Sequence, residues 1–233
     1  MRTYKVLSAL LGYPDGALLA AANDMRAVLD AENCLPSAVR AGIEALIRRL
    51  ETVEPLTLQE EYVALFDRGR STSLHLFEHV HGESRDRGQA MVNLIEAYRS
   101  HGLAISVPEL PDYLPLFLEF VSLLPPAEAR ATLAETAHIL AALASRLKRR
   151  ASGYAAVFEA LVRLTGDREA IASLSGVVAG PDDASDNVAA LDAAWEEAPV
   201  TFGPGDAASS NCNTGCGKWA NVDFIATPAK QES

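Results

Sequence analysis

With 233 residues, 49% of them apolar and only 6% aromatic, the chain can bury a sizeable core, and its Ala- and Leu-led mix favours helices over disorder. Its net charge of −11 is uneven: residues 181–233 hold nine acids against Lys218 and Lys230, a net −7, which leaves −4 for residues 1–180. An acidic chain with no basic stripe is a poor candidate for nucleic acid, and three cysteines do not make a disulfide framework, so a reducing compartment is expected.

The opening residues lack the long apolar run and small-residue cleavage site of a signal peptide, which points to a cytoplasmic protein. Residues 3–12, 16–32 and 37–51 read as helices, broken by Tyr13-Pro14-Asp15-Gly16 and Leu35-Pro36. In Thr57–Phe66 the apolar residues Leu58, Tyr62, Leu65 and Phe66 recur at helical spacing, and Thr57 with Glu60 forms a capping box. After Ser84, residues Met91, Leu94, Ile95 and Tyr98 share one face of a helix that should stop near Gly102. The run Leu114–Leu124 is strongly apolar but too short to span a bilayer. Leu133, Ala137, Leu140, Ala144 and Leu147 form the next stripe. It ends in Arg146, Lys148, Arg149 and Arg150, where cations suit the helix dipole. Tyr154, Val157, Phe158 and Leu161 begin another helix, and the pattern weakens after Thr165. No stretch alternates with period two. The expectation is an all-α, single globular bundle of about eight or nine helices over residues 1–180. An acidic, mostly disordered tail over 181–233 follows, with too little apolar area to offset its ordering entropy.

The segment 60–91 is dense in aromatic, histidine and charged residues that a helical scaffold does not need merely to fold. Tyr62, Phe66 and Phe77 make an aromatic patch. Arg68, Arg70, Arg85 and Arg87, alternating with Asp67, Glu78, Glu83 and Asp86, read either as a self-neutralising solvated face or as a polar rim around that patch. A groove of this kind holds an amphipathic peptide helix, apolar face down. In 111–120, Asp112 is a good N-cap and Pro115 suits a first turn. Glu119 is then the anomaly, a carboxylate on a helix apolar almost all round, answered either by an arginine of the 68–87 segment or by a ligand. His75 and His79 lie four apart, with Glu78 and His81 beside them, in the order His-Leu-Phe-Glu-His rather than that of a zincin. Hydrogen-bonding histidines fit this spacing better. The alternative is a helical metal-binding protein using His75, Glu78, His79 and His81, with Cys212 and Cys216 closing the site across space. The Cys-x3-Cys pair alone lacks the four ligands of zinc and the spacing of a redox pair. No nucleotide loop and no nucleophile elbow occurs.

Two stretches, EYVALFDRGRSTSLHLFEHVHGESRDRGQAM within 60–91 and PDYLPLFLEF at 111–120, resemble the NarJ type of redox-enzyme maturation chaperone, relatives of the TorD/DmsD family. The similarity extends to Leu7–Pro14 and to Ala194-Trp195-Glu196-Glu197 with Val200-Thr201-Phe202, but not to residues 203–233. The resemblance implies an all-helical fold, no catalysis, no stably bound cofactor and a molybdenum cofactor-dependent client. It implies binding of the N-terminal peptide of the nitrate reductase catalytic subunit in the cytoplasm until cofactor is inserted, with contact to molybdenum cofactor biosynthesis proteins as a further partner. Tyr62, Leu65, Phe66, Asp67, His75, Phe77, Glu78 and His79 are then groove candidates. Arg70, Arg85, Arg87, Asp112 and Glu119 are candidates for the rim and its support.

Overall fold

Apolar stripes at helical spacing close onto one another as a bundle. The computed structural model describes residues 1–80, 86–105 and 108–175, all within the first of the two units, Met1–Trp195 and Glu196–Ser233, into which the chain divides. The tail expected over 181–233, with Cys212, Cys216 and Val200–Phe202, lies outside the described residues, as do His81 and Arg85.

Twelve α-helices occur among the described residues. They are α1 (Arg2–Leu10), α2 (Gly16–Ala20), α3 (Ala22–Glu32), α4 (Ser37–Thr52), α5 (Pro55–Phe66), α6 (Leu76–Val80), α7 (Asp86–Ser100), α8 (Leu114–Leu123), α9 (Pro126–Ala134), α10 (Ala137–Arg149), α11 (Ala155–Thr165) and α12 (Arg168–Ser173). The all-α expectation holds, and the extra helices have local causes. Ala21, with ψ near 0°, hands its N–H to both Ala17 and Leu18 and divides the predicted 16–32 helix without a Gly or Pro. The stripe Leu133–Leu147 is likewise two helices, because Thr136 sits at ψ 3° and starts α10 afresh. The short α12 follows Gly166, whose φ of +74° ends α11, and is capped by Asp167, which accepts the Ala170 N–H.

Helix α11 is the buried centre, with Val157, Phe158, Ala160, Leu161 and Val162 all at 0% exposure. It packs against α4, α9 and α10, and α1 packs along α8. Burial of each Val, Leu or Phe among them contributes roughly 1.5–3 kcal/mol relative to exposure. At Gly42 a Cβ would lie 2.8 Å from the Ala156 Cβ, so glycine sets the close approach of α4 to α11. Ser8 of α1 donates its hydroxyl to the Pro115 carbonyl, a buried bond of 2.7 Å that occupies the first turn of α8.

Three cap and burial expectations are corrected. Helix α5 starts two residues early, with Pro55 in its first turn, and its cap is Glu54, whose carboxylate accepts the Thr57 N–H at 3.1 Å. The Thr57–Glu60 capping box therefore does not form. Asp112 does not cap α8, whose N-cap is Tyr113 with no side-chain bond. Glu119 is exposed on α8, so it needs no arginine to offset burial. No described helix is long and apolar enough to cross a membrane.

Candidate functional site

The segment 67–80 leaves α5 and carries no regular element longer than one or two turns, so its shape is imposed by neighbours. Two arginines from the end of α10 hold its first part. Arg146 donates to the Ser71 carbonyl at 2.7 Å, and Arg150 donates to the Thr72 and Ser71 hydroxyls at 3.1 and 3.2 Å. Thr72 in turn donates its hydroxyl to the Leu65 carbonyl. Residues 146 and 150 are one helical turn apart and so reach the same spot. The sequence offered that spacing, but it reads first as favourable charge at a helix end.

Its second part is stitched to 112–114. Leu114 donates its N–H to the Leu74 carbonyl at 2.8 Å and Leu76 donates to the Asp112 carbonyl at 3.0 Å, a small antiparallel bridge. The Asp112 side chain, fully buried at 0% exposure, accepts the Phe77 N–H at 3.0 Å. It thus satisfies an orphan amide of α6, a helix distant in sequence. The His75 Nδ1 lies 3.4 Å from Asp112 Oδ1 and the Arg87 guanidinium 4.0 Å from Oδ2, while Arg87 also lies 3.6 Å from Glu78. A buried carboxylate persists only when surrounded in this way.

His75 and His79 have different duties. The hydrogen bond to Asp112 raises the His75 pKa against the opposing effect of burial, and the ring packs 5.5 Å from that of Tyr113. His79 turns to the Ser73 carbonyl at 2.8 Å, and burial holds its pKa below the ordinary value. Among the described residues no group of three or more His, Cys, Asp or Glu is arranged to hold a metal ion. That corrects the reading in which His75, Glu78 and His79 face a common ion: His75 and His79 are turned to separate acceptors, and Glu78 lies beside Arg87.

The aromatic groove candidates are also placed differently from expectation. Tyr62 and Phe66 are each only 4% exposed, on the inner face of α5. The Tyr62 hydroxyl donates to the Leu11 carbonyl at 2.8 Å and lies 3.4 Å from that of Tyr113; burial pushes its pKa up. These rings form a ladder: Tyr13 lies edge-on to Tyr62 at 5.6 Å, Tyr62 lies 5.0 Å from Phe66, and Phe66 lies 5.0 Å from Tyr154. Burial raises the Tyr154 pKa to about 12. Leu65, Phe77, Glu78 and Arg87 are half-buried, and Asp67 and Arg70 are exposed. The structure therefore brings His75, Phe77, Glu78, Arg87 and Asp112 together. It leaves Glu119 apart from that cluster, exposed on α8. Sequence reading missed Tyr13, Tyr113, Arg146 and Arg150.

Comparison with known proteins adds the family. The profile described as nitrate reductase delta subunit matches residues 32–160. The chain is 46% identical over 208 residues to the nitrate reductase molybdenum cofactor assembly chaperone NarJ of Escherichia coli (strain K12), covering 87% of each. It is 42% identical over 202 residues to NarW of the same strain, named as a probable chaperone of the same kind, covering 87% of this chain and 84% of NarW. A protein of Bacillus subtilis, named as a probable NarJ, is 32% identical over 160 residues, covering 69% of this chain and 86% of its own. The match to more than half of the chain, and the identity sustained across nearly all of NarJ, place this protein in the nitrate reductase delta subunit family.

Proposed function

We propose that this protein is an assembly chaperone for nitrate reductase. It binds the N-terminal region of the apo catalytic subunit in the cytoplasm and keeps it open for insertion of the molybdenum cofactor before the complex joins its membrane subunit. The observation that carries this reading is the 46% identity to NarJ over 87% of both chains. The cofactor belongs to the client, and molybdenum cofactor biosynthesis proteins are a further partner. Residues 1–180 form the chaperone domain and 181–233 a separate acidic tail. The work is recognition rather than catalysis, and the exposed Tyr13 and Leu56 beside the charged residues of α5 suit that task.

The test is a calorimetric titration of the protein with a peptide copying the first residues of its own organism's nitrate reductase catalytic subunit. A scrambled peptide is the control. Sequence-dependent binding with a negative heat-capacity change is expected from apolar burial. Equal heats from the two peptides would sink the peptide reading.

A further inference from the structure

We infer that α7 is a latched cover over the Asp112 cluster, hinged at its C-terminal end, and that client chain enters through its open form, a last step that rests on the function proposed above. Burial along the helix is lopsided. Of the 15 residues of α7 only Tyr98 is buried, whereas α11 buries seven of its 11. Val92 is 54% exposed, and Met91, Leu94 and Ile95 are half-buried. Apolar burial is what holds an element to its neighbours, so α7 belongs to the part of the fold that moves at least cost.

The C-terminal end is the fixed one. Tyr98 donates its hydroxyl to the Pro111 carbonyl at 2.7 Å, and its ring lies 4.7 Å from that of Phe120 on α8. The His101 ring lies 5.3 Å from that of Phe120, and its Nε2 is 2.8 Å from the Glu128 carboxylate in the first turn of α9. Gly102, at φ +74°, ends the helix, and Leu103 returns its N–H to the Tyr98 carbonyl at 3.0 Å. The opposite end is held differently. Arg87 reaches Glu78 at 3.6 Å and Asp112 at 4.0 Å, both longer than a hydrogen bond, and its side chain is 26% exposed. Pairs of that length and exposure are weak and are screened by salt.

This contrast makes α7 a lever. The helix between Arg87 and Tyr98 is roughly 16 Å long, so a swing of about 20° around Tyr98 carries the guanidinium roughly 5 Å and parts it from both carboxylates. The Phe77 N–H and His75 stay with Asp112, since neither belongs to α7. Phe77, beside that carboxylate, and Leu94, on the moving helix, both pack half-buried against the core. They are the apolar groups that the swing presents to an incoming chain.

The experiment is pulsed electron paramagnetic resonance on the full chain, with its native cysteines replaced by serine and nitroxides at exposed positions in two pairs. Gln89 with Ala142 reports the free end of α7 against α10, and Arg99 with Ala142 reports the hinged end. The Gln89 pair should show two distances and the Arg99 pair one. Arg87→Gln should raise the displaced fraction of the Gln89 pair about two- to fivefold, as loss of a weak ion pair allows. Glu78→Gln, which leaves Arg87 beside Asp112, should raise it less, and added salt should raise it in wild type but not in Arg87→Gln. Circular dichroism and melting confirm folding, and either variant that stays folded suffices. The N-terminal client peptide should drive the Gln89 pair to its displaced distance. A single Gln89 distance that neither the variants nor salt alter, or equal broadening of both pairs, overturns the cover. Peptide that binds by calorimetry without moving the Gln89 distance overturns client entry beneath α7. Peptide that fails to bind wild type overturns the function proposed above, while the distances without peptide still decide the cover.

Discussion

The carboxylate of Asp112 and the backbone N–H of Phe77 sit 3.0 Å apart, so a residue at the mouth of α8 caps α6 instead of its own helix. The same carboxylate draws His75 to 3.4 Å and Arg87 to 4.0 Å. Replacing it with alanine strands a buried amide and removes the anchor of His75 and Arg87. Asp112→Ala should destabilise the fold by about 3 kcal/mol in urea unfolding, and Asp112→Asn by less, because one amide oxygen still accepts the Phe77 N–H. Equal losses in the two variants would show that charge, not capping, holds the residue there.

Tyr62 separates packing from hydrogen bonding. Its ring sits between those of Tyr13 and Phe66, and its hydroxyl serves the Leu11 carbonyl. Tyr62→Phe should lose about 1 kcal/mol. Tyr62→Ala should lose about 3–5 kcal/mol, because it also empties the space between the rings of Tyr13 and Phe66. Chemical denaturation of the two variants reads both losses.

The two histidines give opposite pH signatures. His75 has a raised pKa in the folded state, so the stability it contributes is fully present below the unfolded value of about 6.5 and is lost as pH rises through the higher folded value. His79 has a lowered pKa, so the unfolded chain takes up its proton first and stability falls as pH drops through about 6.5 towards the folded value. The stability difference between wild type and His75→Gln should widen on going from alkaline to acid solution. That between wild type and His79→Gln should narrow. Parallel pH curves for the two pairs would contradict the geometry.

Glu119→Gln should leave stability within about 0.5 kcal/mol of wild type, since the carboxylate is exposed. A large loss in thermal unfolding would show that the residue carries a buried interaction after all.

The contrast between Asp112 and Glu119 shows how far pattern reading reaches. Helical periodicity placed α4, α5, α7 and α11 within a few residues, because their apolar stripes are local properties of the chain. It assigned Asp112 to the nearest helix start and Glu119 to the core, because position along a helix says nothing about which face a neighbour covers. Helix α8 is apolar almost all round, yet both Glu119 and Leu123 meet solvent. Ala21 divides α2 from α3 through backbone geometry alone, with no residue type to signal it. The site was legible as a dense segment, 60–91 with 111–120. Its inner and outer residues were not, because Tyr62 and Phe66 read equally well as groove or core.

The segment 71–77 borrows its shape from residues made much later. Its cap comes from Asp112, 35 residues beyond Phe77, and its clamp from Arg146, 75 residues beyond Ser71. On a ribosome it emerges with neither. It lacks those two partners while α7 is synthesised, and the Arg146 clamp becomes available only after α10 has left the exit tunnel. Closing such long loops is entropically slow compared with forming α4 or α11. The clamp on the part of the chain richest in recognition chemistry and the buried centre of the fold, α11, therefore come from the same late stretch, and a chain stalled before residue 146 has neither its core nor its 71–77 segment set.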